Sequence, residues 1–281
     1  MRVALYPNFQ KKNALGCAKE VCRIIHEAGL EIMVSGEYRR EFLDKEYVTF
    51  GRIEEEVEKC GIFIAIGGDG TILRCAKLLI GTEIRLIGIN TGTLGFMAGL
   101  ETDQLDSLRR LADGDYDISK RMTVDVKTRD GSIFTALNEI SVRSGSFKIC
   151  DFDVYADGYL VGKYRADGIL FSTPSGSTAY ALSAGGPVIE PDLECIEMNL
   201  ICPHSLFARA TLFSPNRRLT LVNRTAGDES LVVSVDGEVK LSIGEGEAIE
   251  IFRGRNDLNF IDLIDNSFHE SLCRKMCKPI K

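Results

Sequence analysis

The densest cluster of chemically suggestive residues is Gly67-Gly68-Asp69-Gly70-Thr71. It follows Ile62-Phe63-Ile64-Ala65-Ile66 and precedes a helical pattern starting near Ile72. A run apolar on both faces reads as a buried parallel strand, and open α/β sheets place their ligands just beyond the carboxyl ends of such strands. Three glycines in four positions let the backbone approach a ligand and take up positive φ. Their amides, with the helix N-terminus, favour phosphate. A carboxylate in such a loop is a poor phosphate ligand, so Asp69 suits a different role, either taking a proton from an attacking hydroxyl or holding a metal ion. The same five residues would also make a plain strand-to-helix turn with Asp69 or Thr71 as its N-cap.

A second candidate is the Ser/Thr/Gly-rich segment from Thr173 to Ser183. Pro174 and Gly176 stop the preceding strand, Ser177 can cap a helix, and Thr178 to Ser183 then present hydroxyls and one aromatic ring. Two better-known phosphate signatures are missing. Gly162-Lys163 is followed by Tyr164 and lacks the upstream glycine of a P-loop, and Gly88, Gly92 and Gly95 do not match the Gly-x-Gly-x-x-Gly dinucleotide fingerprint. A Rossmann dehydrogenase is thereby disfavoured.

The elements that must position these residues change character along the chain. Up to about residue 118, strand and helix patterns alternate: strands Val3 to Tyr6, Glu31 to Val34, Ile62 to Ile66 and Leu86 to Ile89, and helices Leu15 to Ala28, Ile53 to Cys60 and Asp103 to Leu111. Leu15, Ala18, Val21, Cys22, Ile25 and Ala28 mark one helical face, with Gly29 as the stop. From 119 to 255 the pattern is short strands: Thr123 to Thr128, Ile133 to Val142, Phe152 to Tyr155, Leu160 to Tyr164, Ile169 to Thr173, Leu231 to Val235, Val239 to Ile243 and Ala248 to Phe252. Asp130-Gly131, Asp157-Gly158 and Asp236-Gly237 are hairpin signals. The expected fold is an N-terminal parallel-sheet α/β domain (1–118) and a β-rich C-terminal domain (119–255). A tail (256–281), one strand from Phe260 and a helix through Lys275, is expected to return to the first domain.

Composition narrows the partners. The net charge of -7 leaves no positive excess to collect a polyanion over a broad face, which argues against nucleic acid. A nucleotide must then be held by local cations and backbone amides. The nine cysteines form no Cys-x-x-Cys pair, so mostly buried, reduced thiols in a cytosol are expected rather than a zinc site or a disulfide framework. No apolar run approaches membrane-spanning length, and the strand-like Arg2 to Tyr6 leads us to expect no export signal.

Gly67 to Thr71, Asn138-Glu139, Asp167-Gly168, Ser172 to Tyr180, Ser183 to Pro187 and Asp236-Gly237-Glu238 together resemble the motif set of the NAD kinase family, in the same order and over nearly the whole chain. The glycine-aspartate loop alone is shared with 6-phosphofructokinase-like and diacylglycerol kinase-like enzymes; the later motifs are what name the acceptor. The resemblance implies transfer of the ATP γ-phosphate to the 2′-hydroxyl of the adenosine ribose of NAD. It makes Asp69 the proton acceptor, with Gly68, Gly70 and Arg74 near the donor phosphates. Asn138 and Glu139 would bind adenosine, and Thr178, Ala179, Tyr180, Ala181, Leu182 and Ser183 would wall the pocket. Asp167, with Arg165, would meet the nicotinamide end, and Lys148, His204 and Glu238 are further carried-over contacts. From the residues alone, Arg74 and Lys148 are equally solvated side chains, Asn138-Glu139 a strand end, Arg165 and Asp167 a surface ion pair, and His204 a structural histidine.

NAD and ATP are thus the expected substrates. Magnesium or another divalent cation is the expected cofactor, because γ-phosphoryl transfer concentrates charge and no lysine cluster is at hand to offset it. No permanent protein-only metal cage is expected. A homodimer or homotetramer is expected from the resemblance and from the strand edges of the second domain. Two rival readings are a lipid kinase, which would need an apolar entrance, and a non-catalytic NADP(H) sensor, which an intact Asp69 argues against.

Overall fold

The apolar runs of the first hundred residues become a parallel sheet. The computed structural model describes residues 1–92, 95–146, 148–227, 230–264 and 272–273. In it, strands β1 (Arg2–Pro7), β2 (Glu31–Ser35), β3 (Val48–Gly51), β4 (Ile62–Gly67) and β5 (Arg85–Asn90) run parallel in the order β3-β2-β1-β4-β5. Every residue of β4 is buried, as an apolar pattern on both faces requires. Helix α1 (Ala14–Glu27) buries Ala14, Cys17, Ala18, Val21, Cys22, Ile24 and Ile25; Ala18, Val21, Cys22 and Ile25 are as read from the sequence, whereas Leu15, expected on that face, is exposed. Gly29, at φ 78, lets the chain turn out of it. Two further helices follow, α2 (Ile53–Glu56) and α3 (Asp69–Leu79), and then the short strands β6 (Leu100–Glu101), paired with β5, and β7 (Asp117–Arg121).

Several local expectations need correction. The stretch expected as one helix over Ile53 to Cys60 is α2 followed by a 3₁₀ turn, Val57–Lys59. The helix expected over Asp103 to Leu111 is a 3₁₀ helix, Leu105–Leu111, burying Leu105, Leu108 and Leu111. An apolar spacing of three matches a 3.0-residue period, so the tighter helix buries all three leucines on one line.

The second unit is antiparallel: β8 (Val124–Lys127), β9 (Ile133–Ala136), β10 (Glu139–Ser144), β11 (Cys150–Ala156), β12 (Tyr159–Ser172), β13 (Ile196–Pro203), β14 (Thr211–Phe213), β15 (Leu219–Asn223), β16 (Leu231–Val235), β17 (Glu238–Ile243) and β18 (Ala248–Arg253). The sheet order is β17-β16-β10-β12-β11-β15-β18-β8-β9, with β13 bridging β12 to β14. The sheet curls until β9 meets β16, enclosing a core that includes Val126, Ile140, Phe152, Phe171, Met198, Leu221 and Val233. The single strand expected over Ile133 to Val142 is two, interrupted at Leu137-Asn138. The two strands expected at Leu160 to Tyr164 and Ile169 to Thr173 are one continuous β12. A helix, α4 (Tyr180–Ser183), follows β12 after a 3₁₀ turn, Ser175–Thr178.

The last strand, β19 (Leu258–Asp262), pairs in parallel with β5 in the first sheet. The chain divides into two compact units, Met1–Lys120 with the segment from Leu258 onward, and Arg121–Asp257. Most of the helix expected through Lys275 lies outside the described residues.

Candidate active site

In the first unit, the glycine loop sits where β4 ends. Gly68 occupies the N-cap position of α3, and no side chain caps that helix. Asp69 is therefore not the cap. Its carboxylate crosses instead to the chain beyond β5, where Oδ2 accepts from the Phe96 amide at 2.8 Å and Oδ1 from the Met97 amide at 3.1 Å. Each oxygen keeps a lone-pair direction for another partner. A side chain at Gly95 would run into this carboxylate, so glycine at that position is what allows the clamp to close.

None of Gly67, Gly68 and Gly70 takes positive φ, which corrects that part of the sequence reading. Gly67 is glycine because a Cβ would meet the Thr71 side chain at 2.5 to 2.9 Å. Gly68 and Gly70 are different: among the described residues, a Cβ on either would have no atom within 4 Å. Among the described residues neither the backbone conformation nor the packing requires glycine there, so the backbone at those positions is left open.

The neighbouring strand ends complete this half. Asn8, after β1, donates from Nδ2 to Thr71 Oγ1 at 2.9 Å. Asn90, buried at the end of β5, donates from Nδ2 to both Glu101 oxygens at 3.1 and 3.0 Å and accepts from the Gly92 amide at 3.0 Å. Arg74 stands exposed one turn into α3.

In the second unit, Asn138 and Glu139 are buried at the break between β9 and β10. The break has a cause the sequence did not reveal. Asp236, at φ 47 in a turn with Gly237 at φ 77, reaches back with its carboxylate to the amides of Leu137 (3.1 Å), Asn138 (2.8 Å) and Glu139 (3.2 Å). Its own amide donates to the Glu139 carbonyl at 2.9 Å. The Asn138 carbonyl accepts from the Thr173 amide at 2.9 Å and from Ser172 Oγ at 3.2 Å. Gly176 lies so close to that carbonyl that no side chain would fit. The Asn138 Oδ1 atom is buried with no hydrogen-bond partner among the described residues.

The segment after Thr173 is anchored rather than capped. Ser177 Oγ donates to the Pro174 carbonyl at 2.7 Å and accepts from the Ile189 amide at 3.0 Å, so the expected cap role of Ser177 is replaced by a tie between the two ends of the segment. Within it Ala181 is buried, Thr178, Ala179, Tyr180 and Leu182 are half-buried, and Ser183 is exposed.

Arg165, Asp167, Lys148 and His204 gather elsewhere. Arg165 and Asp167 project exposed from the middle of β12, with Arg165 Nε 3.8 Å from Asp151. The His204 amide donates to the Arg165 carbonyl at 2.9 Å. The Cys150 thiol bridges the Lys148 and Asp167 carbonyls at 3.6 and 3.7 Å. Asp167 is five residues along β12 from Ser172, roughly 16 Å at strand rise. Glu238 is exposed beside the Asp236 turn and accepts from Lys240 Nζ at 2.8 Å. Among the described residues, no three His, Cys, Asp or Glu side chains are grouped to hold a metal ion, and no helix is long and apolar enough to cross a membrane.

Comparison with known proteins puts these features in context. The ATP-NAD kinase N-terminal domain profile matches residues 3–116, and the ATP-NAD kinase C-terminal domain profile matches residues 137–263. The NAD kinase of Moorella thermoacetica is 33% identical over 282 residues, covering 99% of this chain and 89% of its own. That of Christiangramia forsetii is 32% identical, covering 98% and 97%. Among solved structures, yeast NADH kinase complexed with NADH superposes with a TM-score of 0.87 at 21% identity, over 99% of this chain and 87% of that one. An NAD kinase from Archaeoglobus fulgidus in complex with ATP gives 0.75 at 26% identity, over 97% and 99%.

Proposed function

The chain belongs to the NAD kinase family, and from that premise we propose how its residues move the ATP γ-phosphoryl group to the 2′-hydroxyl of the adenosine ribose of NAD, giving NADP and ADP. The observation that carries the assignment is the pairing of Asp69, held by two amides at a strand end, with two glycines on which an added Cβ would meet none of the described residues. The bare backbone of Gly68 and Gly70, at the N-terminus of α3, receives the donor phosphates, with Arg74 within reach of them. The free lone pairs of Asp69 take the proton of the ribose 2′-hydroxyl as its oxygen bonds to the γ-phosphorus and the bond to the ADP oxygen breaks. The proton passes from the Asp69 carboxyl to water after the products leave.

Asn138 and Glu139 bind the adenosine portion, a role supported by the buried, unpartnered Asn138 Oδ1. Thr178, Ala179, Tyr180, Ala181, Leu182 and Ser183 wall its pocket. Arg165 and Asp167 meet the nicotinamide end, with Lys148 and His204 alongside, and Glu238 borders the Asp236 turn.

A divalent ion, magnesium in the first instance, would be carried to the glycine loop by the ATP phosphates, with Asp69 beside it, and would supply positive charge to offset the negative charge of the transferring phosphoryl group. Asp69 would offer such an ion one carboxylate at the loop. The working form is a homodimer or homotetramer. The 89% exposure of both Leu206 and Phe207, beside His204, supports an apolar surface covered in the assembly. A cytosolic setting is supported by the free cysteines, five of them buried. A coupled assay of NADP formation from NAD, ATP and magnesium tests the reading. Activity should vanish in excess chelator, and full activity there would remove the divalent ion from the account.

A further inference from the structure

The sheet face that carries Glu139 holds a second buried carboxylate to which no role has been given. Glu139 lies opposite Ser172 on β12, and Ser172 lies opposite Glu197 on β13. Directly opposed residues in antiparallel ladders share a face, so these three side chains form one row. Asn199, opposite Leu170, stands next to Glu197 on that face. Glu197 is fully buried and Asn199 is 2% exposed. Asn199 Nδ2 donates to Glu197 Oε1, while Glu197 Oε2 is buried with no hydrogen-bond partner among the described residues.

What covers the pair is the chain leaving α4. Gly185, at φ 85, turns that chain back, and the Gly186 amide donates to the Ala181 carbonyl at 2.9 Å. Gly186 then rests directly on the pair: a Cβ there would fall on Glu197 Oε1 and Asn199 Nδ2. The turn is tied to α4 on one side and to Ser177, through Ile189, on the other. Any displacement of Gly186 is thus passed to Tyr180–Ser183.

We propose that Glu197 is a positioning residue for nucleotide binding: as a neutral carboxylic acid, supported by Asn199, it forms the floor on which the Gly185-Gly186 turn sets the Tyr180–Ser183 helix. The proposal rests on the reading that this helix contacts NAD. A carboxylate with no exposure and one donor is strongly disfavoured as an anion, and burial pushes its carboxyl up to about 7. The groups packed around it bring no compensating charge. Ser172 and Leu170 of β12, Thr211 and Leu212 of β14 and the turn residues Ala184 to Ile189 are all uncharged. The ionisable neighbours are Cys195, whose thiol is pushed up by burial and by Glu197, and Glu139, two strands away in the same row. Neither stabilises an anion. When the proton leaves, the buried charge can be relieved only by admitting water, and lifting the turn admits it.

The test follows the NAD KM and the opening of amides in 180–186, read as hydrogen exchange relative to the intrinsic base-catalysed rate at each pH, between about pH 6 and pH 8.5, in the wild-type chain and in Glu197→Gln. In wild type both should rise with pH, the KM by at least about threefold, since an affinity requiring the protonated form falls up to tenfold per unit above the pKa. The ATP KM should not follow. In Glu197→Gln, which is neutral at every pH, both should stay near the wild-type low-pH values. A flat wild-type profile overturns the proposal without any variant, and so does Glu197→Gln retaining the wild-type slope. Exchange that follows Glu197 while the NAD KM stays flat upholds its hold on the turn and strikes out the nucleotide role of the helix.

Discussion

Removing the Asp236 carboxylate should loosen the Asn138-Glu139 break and weaken NAD binding more than turnover. The side chain accepts three backbone amides at 2.8 to 3.2 Å. Hydrogen bonds to a charged group contribute about 1.5 to 3 kcal/mol each when well formed, but these are part-buried and share two oxygens. A net cost of about 3 to 4 kcal/mol is the reasonable sum. The substitution must respect φ 47 at this position. Alanine would add left-handed strain of about 1 to 2 kcal/mol and confuse the result, whereas Asp236→Gly removes the carboxylate and keeps a Gly-Gly turn suited to that geometry. Asp236→Asn keeps one acceptor oxygen and turns an amino group on the remaining amides, so it should fall between the two. Urea unfolding reads the stability, and steady-state kinetics should show a raised NAD KM with kcat changed much less. Loss below about 1 kcal/mol in Asp236→Gly, with an unchanged NAD KM, would refute the reasoning, because three unsatisfied amides at that break could not be so cheap.

Gly70→Ala fills space that the chain leaves empty and replaces glycine inside the first turn of α3, so it should leave stability equal or raised by up to about 1 kcal/mol while the ATP KM rises steeply; thermal unfolding paired with kinetics checks both halves. Gly95→Ala should do the reverse of a silent change, displacing the Asp69 carboxylate it would collide with, and kcat should drop by roughly 10²-fold or more. Glu197 also sets a stability slope. Its carboxyl is raised from 4.5 to about 7 by burial, so the folded chain keeps a proton that the unfolded chain loses. Its contribution is therefore complete below pH 4.5 and is lost as pH rises to about 7, a change of about 3 kcal/mol. Denaturation of Glu197→Gln should show a slope shallower by that amount over this window, and equal slopes would contradict the sign.

The parts of the fold written in local pattern were legible, and those written in distant contacts were not. The two-sided apolar run Ile62 to Ile66 followed by glycines announced both a buried parallel strand and a ligand loop at its end. The destination of Asp69's carboxylate depends on the chain 27 and 28 residues away, which no local pattern reveals. Asp236-Gly237 was readable as a hairpin turn. Its second role, interrupting the strand at Leu137-Asn138, joins residues 97 to 99 apart. Strand β13 went unread because Glu197 and Asn199 disfavour strands and occupy positions that turn out to be buried. Gly168 hid the continuity of β12, which is held straight by neighbours pairing on both sides. The residues around Asp167 and His204 were named by resemblance, and only the strand register brings their backbones together.

The central claim, that Asp69 takes the proton of the acceptor hydroxyl, is tested most directly by Asp69→Asn in single-turnover NADP formation, with NAD binding measured by calorimetry alongside. A positioned base contributes roughly 10²- to 10⁴-fold, so the barrier should rise by about 3 to 5.5 kcal/mol. NAD affinity should change far less, since the loss lies in the transition state. The capping alternative is already removed by Gly68 at the N-cap position, so the remaining rival is that Asp69 merely holds the Phe96-Met97 amides. In that case Asp69→Asn, whose amino group would face one of those two amides, would lower stability and NAD affinity together with the rate. Turnover within about threefold of wild type would contradict the account; a loss of two or more decades with NAD still bound is what it requires.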